Sequence, residues 1–237
     1  MTDGAFEEPS VGRFGAVFDL DGVLIDSHDQ HQRSWFLLAD QLGLPLTTEQ
    51  FKISFGMRNE QVIPQVFRWA EEADKDRIRE LGDRKEALYR ELLKAEGLDP
   101  LPGVVAFLQS LRDAGVPASV GSSTPRLNIE VCLEITGLSK FFSEAFVGAE
   151  DVSKGKPEPE VFLKAAGRID RDPALCFVVE DAHVGIQAGK RAGMKTIAVT
   201  TTHPAASFSG ESSADLIVPT LLDVRLDRVW SWFQASP

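Results

Sequence analysis

From Leu101 onward the chain alternates short apolar runs with longer amphipathic ones, and no other feature narrows the fold as much. The spacing predicts strands over 117–121, 145–147, 176–179, 196–199 and 216–218. Between them it predicts helices over 104–114, 126–135, 158–167 and 184–192, then a terminal helix through Val229 and Trp232. Alternation of this kind builds an α/β fold, a doubly wound parallel sheet with helices on both faces. Ligands of such sheets bind beyond the carboxyl ends of the strands, where the strand order reverses.

One more strand precedes the series. Gly15-Ala16-Val17-Phe18 is short and apolar, as an inner parallel strand should be, and it runs into Asp19-Leu20-Asp21-Gly22. Side chains two apart along a strand share a side, so Asp19 and Asp21 can converge where the strand opens into a loop. Gly22 lets the chain turn there without a side-chain penalty. Two carboxylates at a buried strand end call for a cation or a shared proton; the plain alternative is a solvated Asp-rich turn.

Between this strand and the alternating series lies a stretch with helical periodicity and no strand signal. Trp35, Leu37, Leu38 and Leu42 mark one helix, stopped by Gly43 and Pro45. Thr48 caps a second, with Phe51 and Phe55; Arg58 or Asn59 opens a third, with Val62, Ile63, Val66 and Phe67. A charged helix follows over 75–95, and Gly97 ends it. The expected organisation is a core from residues 1–27 and 97–237, interrupted by a helical domain over 28–96 placed to cover the Asp19–Gly22 loop. Hinges are expected near 25–28 and 98–103, where Asp99-Pro100 and Pro102-Gly103 punctuate the chain.

Composition limits the partners. A net charge of −11, from 36 acidic and 25 basic side chains, argues against nucleic acid and against an anionic membrane surface. It leaves a phosphorylated small molecule open, because a local cation overrides the global field. Residues 1–10 are acidic and lack an apolar segment, and no apolar run approaches the roughly 18 residues of a membrane span. A cytoplasmic monomer is expected. Cys132 and Cys176 stand far apart in apolar contexts and are expected to be reduced and buried.

Four expected strand ends release polar residues. The first gives Asp19 and Asp21, and the second Ser122-Ser123-Thr124. The loop after Val147 gives Lys154-Gly155-Lys156-Pro157, and the strand through Val179 gives Glu180-Asp181. Taken singly these are a helix cap, a solvated lysine and an acidic helix start. Together they are an inventory for phosphoryl transfer. A carboxylate can form an acyl phosphate, a second acid can move the proton, and hydroxyls with one lysine can hold phosphate oxygens. Four carboxylates need about three compensating positive charges, which one Mg²⁺ and Lys156 supply.

The ordered set resembles the haloacid dehalogenase superfamily of phosphotransferases, in the subgroup similar to β-phosphoglucomutase and its phosphatase relatives. Phe18-Asp19-Leu20-Asp21-Gly22-Val23-Leu24 matches the first motif and Ser122 the second motif's hydroxyl position. Lys156, in Gly155-Lys156-Pro157-Glu158-Pro159, matches the third; Glu180-Asp181 with Gly185-Ile186 and Ala188-Gly189 matches the fourth. The resemblance runs from about Phe14 to Asp223. It implies a Rossmann-like core with a helical cap, Asp19 as nucleophile, Asp21 as general acid/base and Lys156 as the catalytic lysine. It implies Mg²⁺ held by Asp19, main-chain carbonyls of Leu20 and Asp21, Asp181 and, directly or through water, Glu180. Ser122 and Ser123 would bind phosphate. The dehalogenase branch lacks the second Asp and the metal, and Asp21 argues against it.

By the same resemblance Ser27, His31, Arg58, Asn59, Lys85 and Arg126 are the cap and rim contacts to substrate. The alternatives are a His31 that merely covers the hinge, and Arg58 and Lys85 as solvated helix charges. Phe55-Gly56-Met57-Arg58 resembles the family's cap loop, with Arg58 offset by one residue from the arginine with which the mutase grips phosphate. Three functions follow in order. The first is a phosphatase for a small metabolite such as a sugar phosphate, a nucleotide or ribitylaminouracil phosphate. The second is a sugar-phosphate mutase, and the third a non-catalytic binding or regulatory protein.

Overall fold

The computed structural model describes residues 14–54 and 57–234; residues 1–10, Phe55 and Gly56, singled out above, lie outside the described residues. Six strands form one sheet: β1 (Gly15–Phe18), β2 (Ala118–Gly121), β3 (Phe146–Val147), β4 (Cys176–Glu180), β5 (Lys195–Val199) and β6 (Leu216–Val218). Their order is β3-β2-β1-β4-β5-β6, and each neighbouring pair is parallel. The chain winds one way from β1 to β3 and the other way from β4 to β6. The crevice beyond the ends of β1 and β4 is therefore the switch point. Register sets what meets there. Phe18 lies opposite Val179, and the Asp19 N–H donates to the Val179 carbonyl at 3.0 Å, so Asp19 emerges beside Glu180.

Period-two alternation sorts the sheet's side chains into two cores. Ala16, Phe18, Phe177 and Val179 face α5 (Val104–Asp113) and α6 (Arg126–Ile135); Val17, Cys176 and Val178 face α8 (Glu160–Arg168) and α9 (His183–Arg191). A short α7 (Ser139–Phe142) and the terminal α10 (Leu226–Gln234) complete the first layer.

Between β1 and β2 the chain is helical: α1 (His28–Leu42), α2 (Thr48–Ser54), α3 (Asn59–Gln61) and α4 (Lys75–Glu96). Past α3 the helix widens to a π-type turn over Val62–Phe67, which contains Pro64, a residue with no N–H to donate. Asp74 caps α4 by accepting from the Arg77 N–H at 3.1 Å. Trp35, Leu38, Phe51, Ile63, Phe67 and Leu81 belong to a hydrophobic cluster separate from the sheet's. Tyr89 and Leu93, in the last turns of α4, join the sheet's core instead. Among the described residues no helix is long and apolar enough to cross a membrane.

Candidate active site

Three carboxylates meet at the switch point. Asp19 leaves β1, and Glu180 and Asp181 end β4; one oxygen of each lies within 4.8 Å of the others. All three residues are buried. Glu180 is fixed by the N–H groups of Asp181 and Ala182, each donating to Oε2 at 2.9 Å. Asp181 accepts from the Thr202 hydroxyl, beyond the end of β5. Two glycines make room for this. Gly22 turns the loop at φ +80°, and a Cβ there would fall on the Asp181 carboxylate; a Cβ on Gly185 would fall on that of Glu180.

Among the described residues one cation serves the cluster. Lys156 Nζ stands 2.6 Å from Glu180 Oε1 and 2.9 Å from Asp19 Oδ1, with its ammonium over the Phe162 ring. Asp19 Oδ1 is buried, and the Lys156 ammonium is the neighbour that meets its charge. Burial pushes the Asp19 carboxyl up to about 7 against the pull of Lys156. Burial, then the charges of Glu180 and Asp19, push Asp181 up to about 8. Burial works against the charge on Lys156, but Asp19 and Glu180 outweigh it and hold the ammonium well above the usual lysine range. Three buried carboxylates with converging oxygens and a single lysine between them fit an oxygen-seeking divalent cation such as Mg²⁺.

Asp21, two residues on, has a different environment. The Thr124 hydroxyl donates to its Oδ2 at 2.7 Å, the Ser27 hydroxyl donates to Oδ1, and His31 Nε2 lies 3.6 Å from Oδ1. Burial opposes ionisation here too, yet these donors outweigh it and hold the carboxyl far below the usual range. Adjacent carboxylates thus have opposite tendencies: Asp19 resists ionisation and Asp21 retains it.

A cavity of about 770 Å³ opens over this floor. Of the expected contacts, Ser122, Ser123, Lys156, His31, Arg58, Asn59 and Lys85 line it. The Ser122 hydroxyl accepts from the Thr124 N–H at 3.2 Å, which tightens the loop after β2. Arg58 crosses from the helical layer to donate to the Ala149 carbonyl of the core. Lys85 is no solvated helix charge: it is 2% exposed, paired with Glu86 at 3.0 Å and 2.8 Å from His31 Nδ1.

Three expected contacts go elsewhere. Ser27 is buried, does not line the cavity and donates its hydroxyl to Asp21. Arg126 is not among the cavity-lining residues; its guanidinium lies over the Phe146 ring and pairs with Asp151 at 2.8 Å, bracing the loop after β3. The Leu20 carbonyl accepts from the N–H groups of Val23, Leu24 and Ile25, at 2.9 Å for Leu24. That commits it to the turn and leaves the Asp21 carbonyl as the main-chain candidate for a metal. Four further polar residues at the site escaped sequence reasoning. Thr202 had a signal, since it follows a strand end as the others do. Glu86 had none, because a glutamate on a charged helix reads as solvated. His183 and His203 stack at 4.5 Å on the cavity rim, and burial with the neighbouring His183 pushes His203 down.

A parallel α/β sheet with an acidic, lysine-paired cluster at its switch point and helices inserted after β1 defines a class of hydrolases. Residues 15–193 match the haloacid dehalogenase-like hydrolase family, and the chain belongs to it. It is 34% identical over 218 residues to the chloroplastic 5-amino-6-(5-phospho-D-ribitylamino)uracil phosphatase of Arabidopsis thaliana, covering 91% of this chain and 56% of that one. It is 34% identical over 214 residues to hexitol phosphatase A of Escherichia coli, covering 90% and 94%. The chain thus spans about half the plant relative but nearly all of the bacterial one. Its fold also matches β-phosphoglucomutase from Clostridium difficile, with a TM-score of 0.77 at 22% identity, covering 93% and 96%.

Proposed function

We propose that this chain is a Mg²⁺-dependent phosphatase for a small phosphorylated metabolite, acting through an aspartyl phosphate on Asp19. The observation that carries this is the contrast between the two carboxylates. Asp19 stands beside Lys156 and two further acids, while Asp21 is held by the Ser27 and Thr124 hydroxyls and His31. Asp19 attacks phosphorus; a bond forms to its carboxylate oxygen as the bond to the leaving oxygen breaks. Asp21 gives that oxygen a proton, then takes one from the water that attacks phosphorus, so that inorganic phosphate departs and Asp19 is restored. Asp21 is ionised at rest, so it must gain its proton when the substrate's negative charge arrives and raises its pKa.

Mg²⁺, held by Asp19, Asp181, the Asp21 carbonyl and Glu180 directly or through water, would offset the charge gathered on the phosphate. Lys156 steadies the transferred group and keeps Glu180 in place. Ser122 and Ser123 are the phosphate-binding hydroxyls. Residues 28–96 act as a cap that moves against the core of residues 1–27 and 97–237. His31, Arg58 and Lys85 face the substrate from it.

A phosphatase is favoured over a mutase by the state of the cap cations. Arg58 is engaged by a core carbonyl and Lys85 by Glu86, which leaves little to grip a second phosphate. A panel of sugar phosphates, hexitol phosphates, nucleotides and ribitylaminouracil phosphate, assayed with Mg²⁺, tests this. Phosphate release equal to the free alcohol formed is expected. Isomerisation of β-glucose 1-phosphate, with a bisphosphate primer and little free phosphate, would establish the mutase instead.

A further inference from the structure

Glu86 is a buried charge to which the proposed chemistry gives no role. It sits on α4 at 7% exposure, and its two oxygens gather donors from three elements. Asn59 of α3 donates to Oε1 at 2.8 Å, and Asn128 of core helix α6 donates to Oε2 at 2.6 Å. Lys85 approaches both oxygens, at 3.0 and 3.2 Å. Asn128 is itself fully buried and oriented by Arg90, which donates to its Oδ1 at 2.7 Å. The Asn128 amide therefore has its direction set, and Glu86 is a fixed anion rather than a mobile one.

What the anion holds is the Lys85 ammonium, which lies 5.4 Å from the centre of the Trp35 ring and 5.1 Å from that of Tyr89. An ammonium has only protons to offer. Lys85 Nζ is 2.8 Å from His31 Nδ1, so Nδ1 must accept, and the imidazole proton belongs on Nε2, the nitrogen that faces Asp21. Tyr89 stacks on the imidazole at 4.1 Å and fixes its plane.

We infer that Glu86 is a positioning residue: anchored by Asn128, it holds Lys85 against His31 and so decides which imidazole nitrogen carries the proton beside Asp21. The arrangement joins the helical layer to the core, because Asn128 and Thr124 come from one short stretch of core chain and reach opposite ends of it. Thr124 donates to Asp21 while Asn128 donates to Glu86. The relay is whole only when the two layers are docked as here. Its effect on turnover rests on the phosphatase reading; the histidine tautomer does not.

The test is the ¹⁵N spectrum of histidine-labelled protein near pH 8, with His31 assigned by His31→Gln. The unsubstituted protein is expected to give one His31 tautomer, protonated at Nε2. In Glu86→Gln, Lys85 loses the carboxylate that holds its ammonium against Nδ1, so Nδ1 is no longer kept as an acceptor; the signal should become a mixture of tautomers. Asn128→Ala should move it the same way by less, and Glu86→Asp should restore most of the single form. Turnover of alkyl phosphates by Glu86→Gln should fall about tenfold or more, with KM held within about twofold. An unchanged tautomer in both Glu86→Gln and Asn128→Ala overturns the inference; if Glu86→Gln does not fold, Asn128→Ala decides alone. Tautomer shifts as expected in a protein that hydrolyses no phosphoester uphold the relay and refute the phosphatase reading.

Discussion

Replacing Lys156 with methionine removes a cation that contacts both Asp19 and Glu180 and keeps most of its volume. Breaking a buried pair from one side costs about 3–5 kcal/mol, because the partner charges stay behind uncompensated. For a chain of this size that lowers the apparent melting temperature by about 6–20 °C. The loss must depend on pH in chelated protein. Asp19 and Asp181 are raised from 3.8 to about 7 and about 8, so the folded state keeps protons that the unfolded state has already given up. Their contribution to stability is present at the acid end of that window and disappears as pH rises through about 7 to 8. Without Lys156 the carboxylates depend still more on protonation. Melting of wild type and Lys156→Met in EDTA, at about pH 6 and about pH 8.5, should show the larger difference at the higher pH. An equal or larger difference at the lower pH would refute this electrostatic account.

Further predictions concern neighbouring parts. Asp19→Asn should leave the melting temperature nearly unchanged and cut kcat by several orders of magnitude, as measured by phosphate release. Asp21→Asn should impair alkyl phosphates more than an activated aryl phosphate, since only the former need a proton on the leaving oxygen; equal loss on both would disprove the acid role. Gly22→Ala should destabilise by about 1–2 kcal/mol for its backbone conformation alone, with added loss from collision with Asp181, as chemical denaturation will measure. Burial pushes both Cys132 and Cys176 up to about 12, so near pH 8 roughly one thiol in ten thousand is ionised, and Ellman's reagent should react only after unfolding.

Much of this was legible in the sequence for one reason: a parallel sheet is made of local signals in a fixed order. Strands such as Cys176–Glu180 are apolar runs bounded by polar ends, and the ends carry the chemistry. The start of α8 shifted from the expected 158 to Glu160, because Pro159 disfavours helical backbone at the residue before it. The four-residue α7 was too short to show a period. Placement of the acids followed from strand order, so Asp19, Glu180, Asp181 and Lys156 meet as their positions imply. Long side chains on helices were the opaque part. Nothing local distinguishes the buried Lys85 and Glu86 from solvated neighbours on α4; only packing against α1 and α6 does. Arg126 misled for the converse reason, since a cation after a phosphate-binding loop reads as a ligand while Asp151 claims it.

The central claim is covalent chemistry at Asp19, and rapid acid quench during turnover with Mg²⁺ tests it most directly. Digestion and mass mapping should find a phosphate adduct on the peptide bearing Asp19, localised to that residue and not to Asp21. The adduct should be absent in EDTA and in Asp19→Asn. Sustained turnover by Asp19→Asn, or an adduct carried by any other residue, would contradict the account.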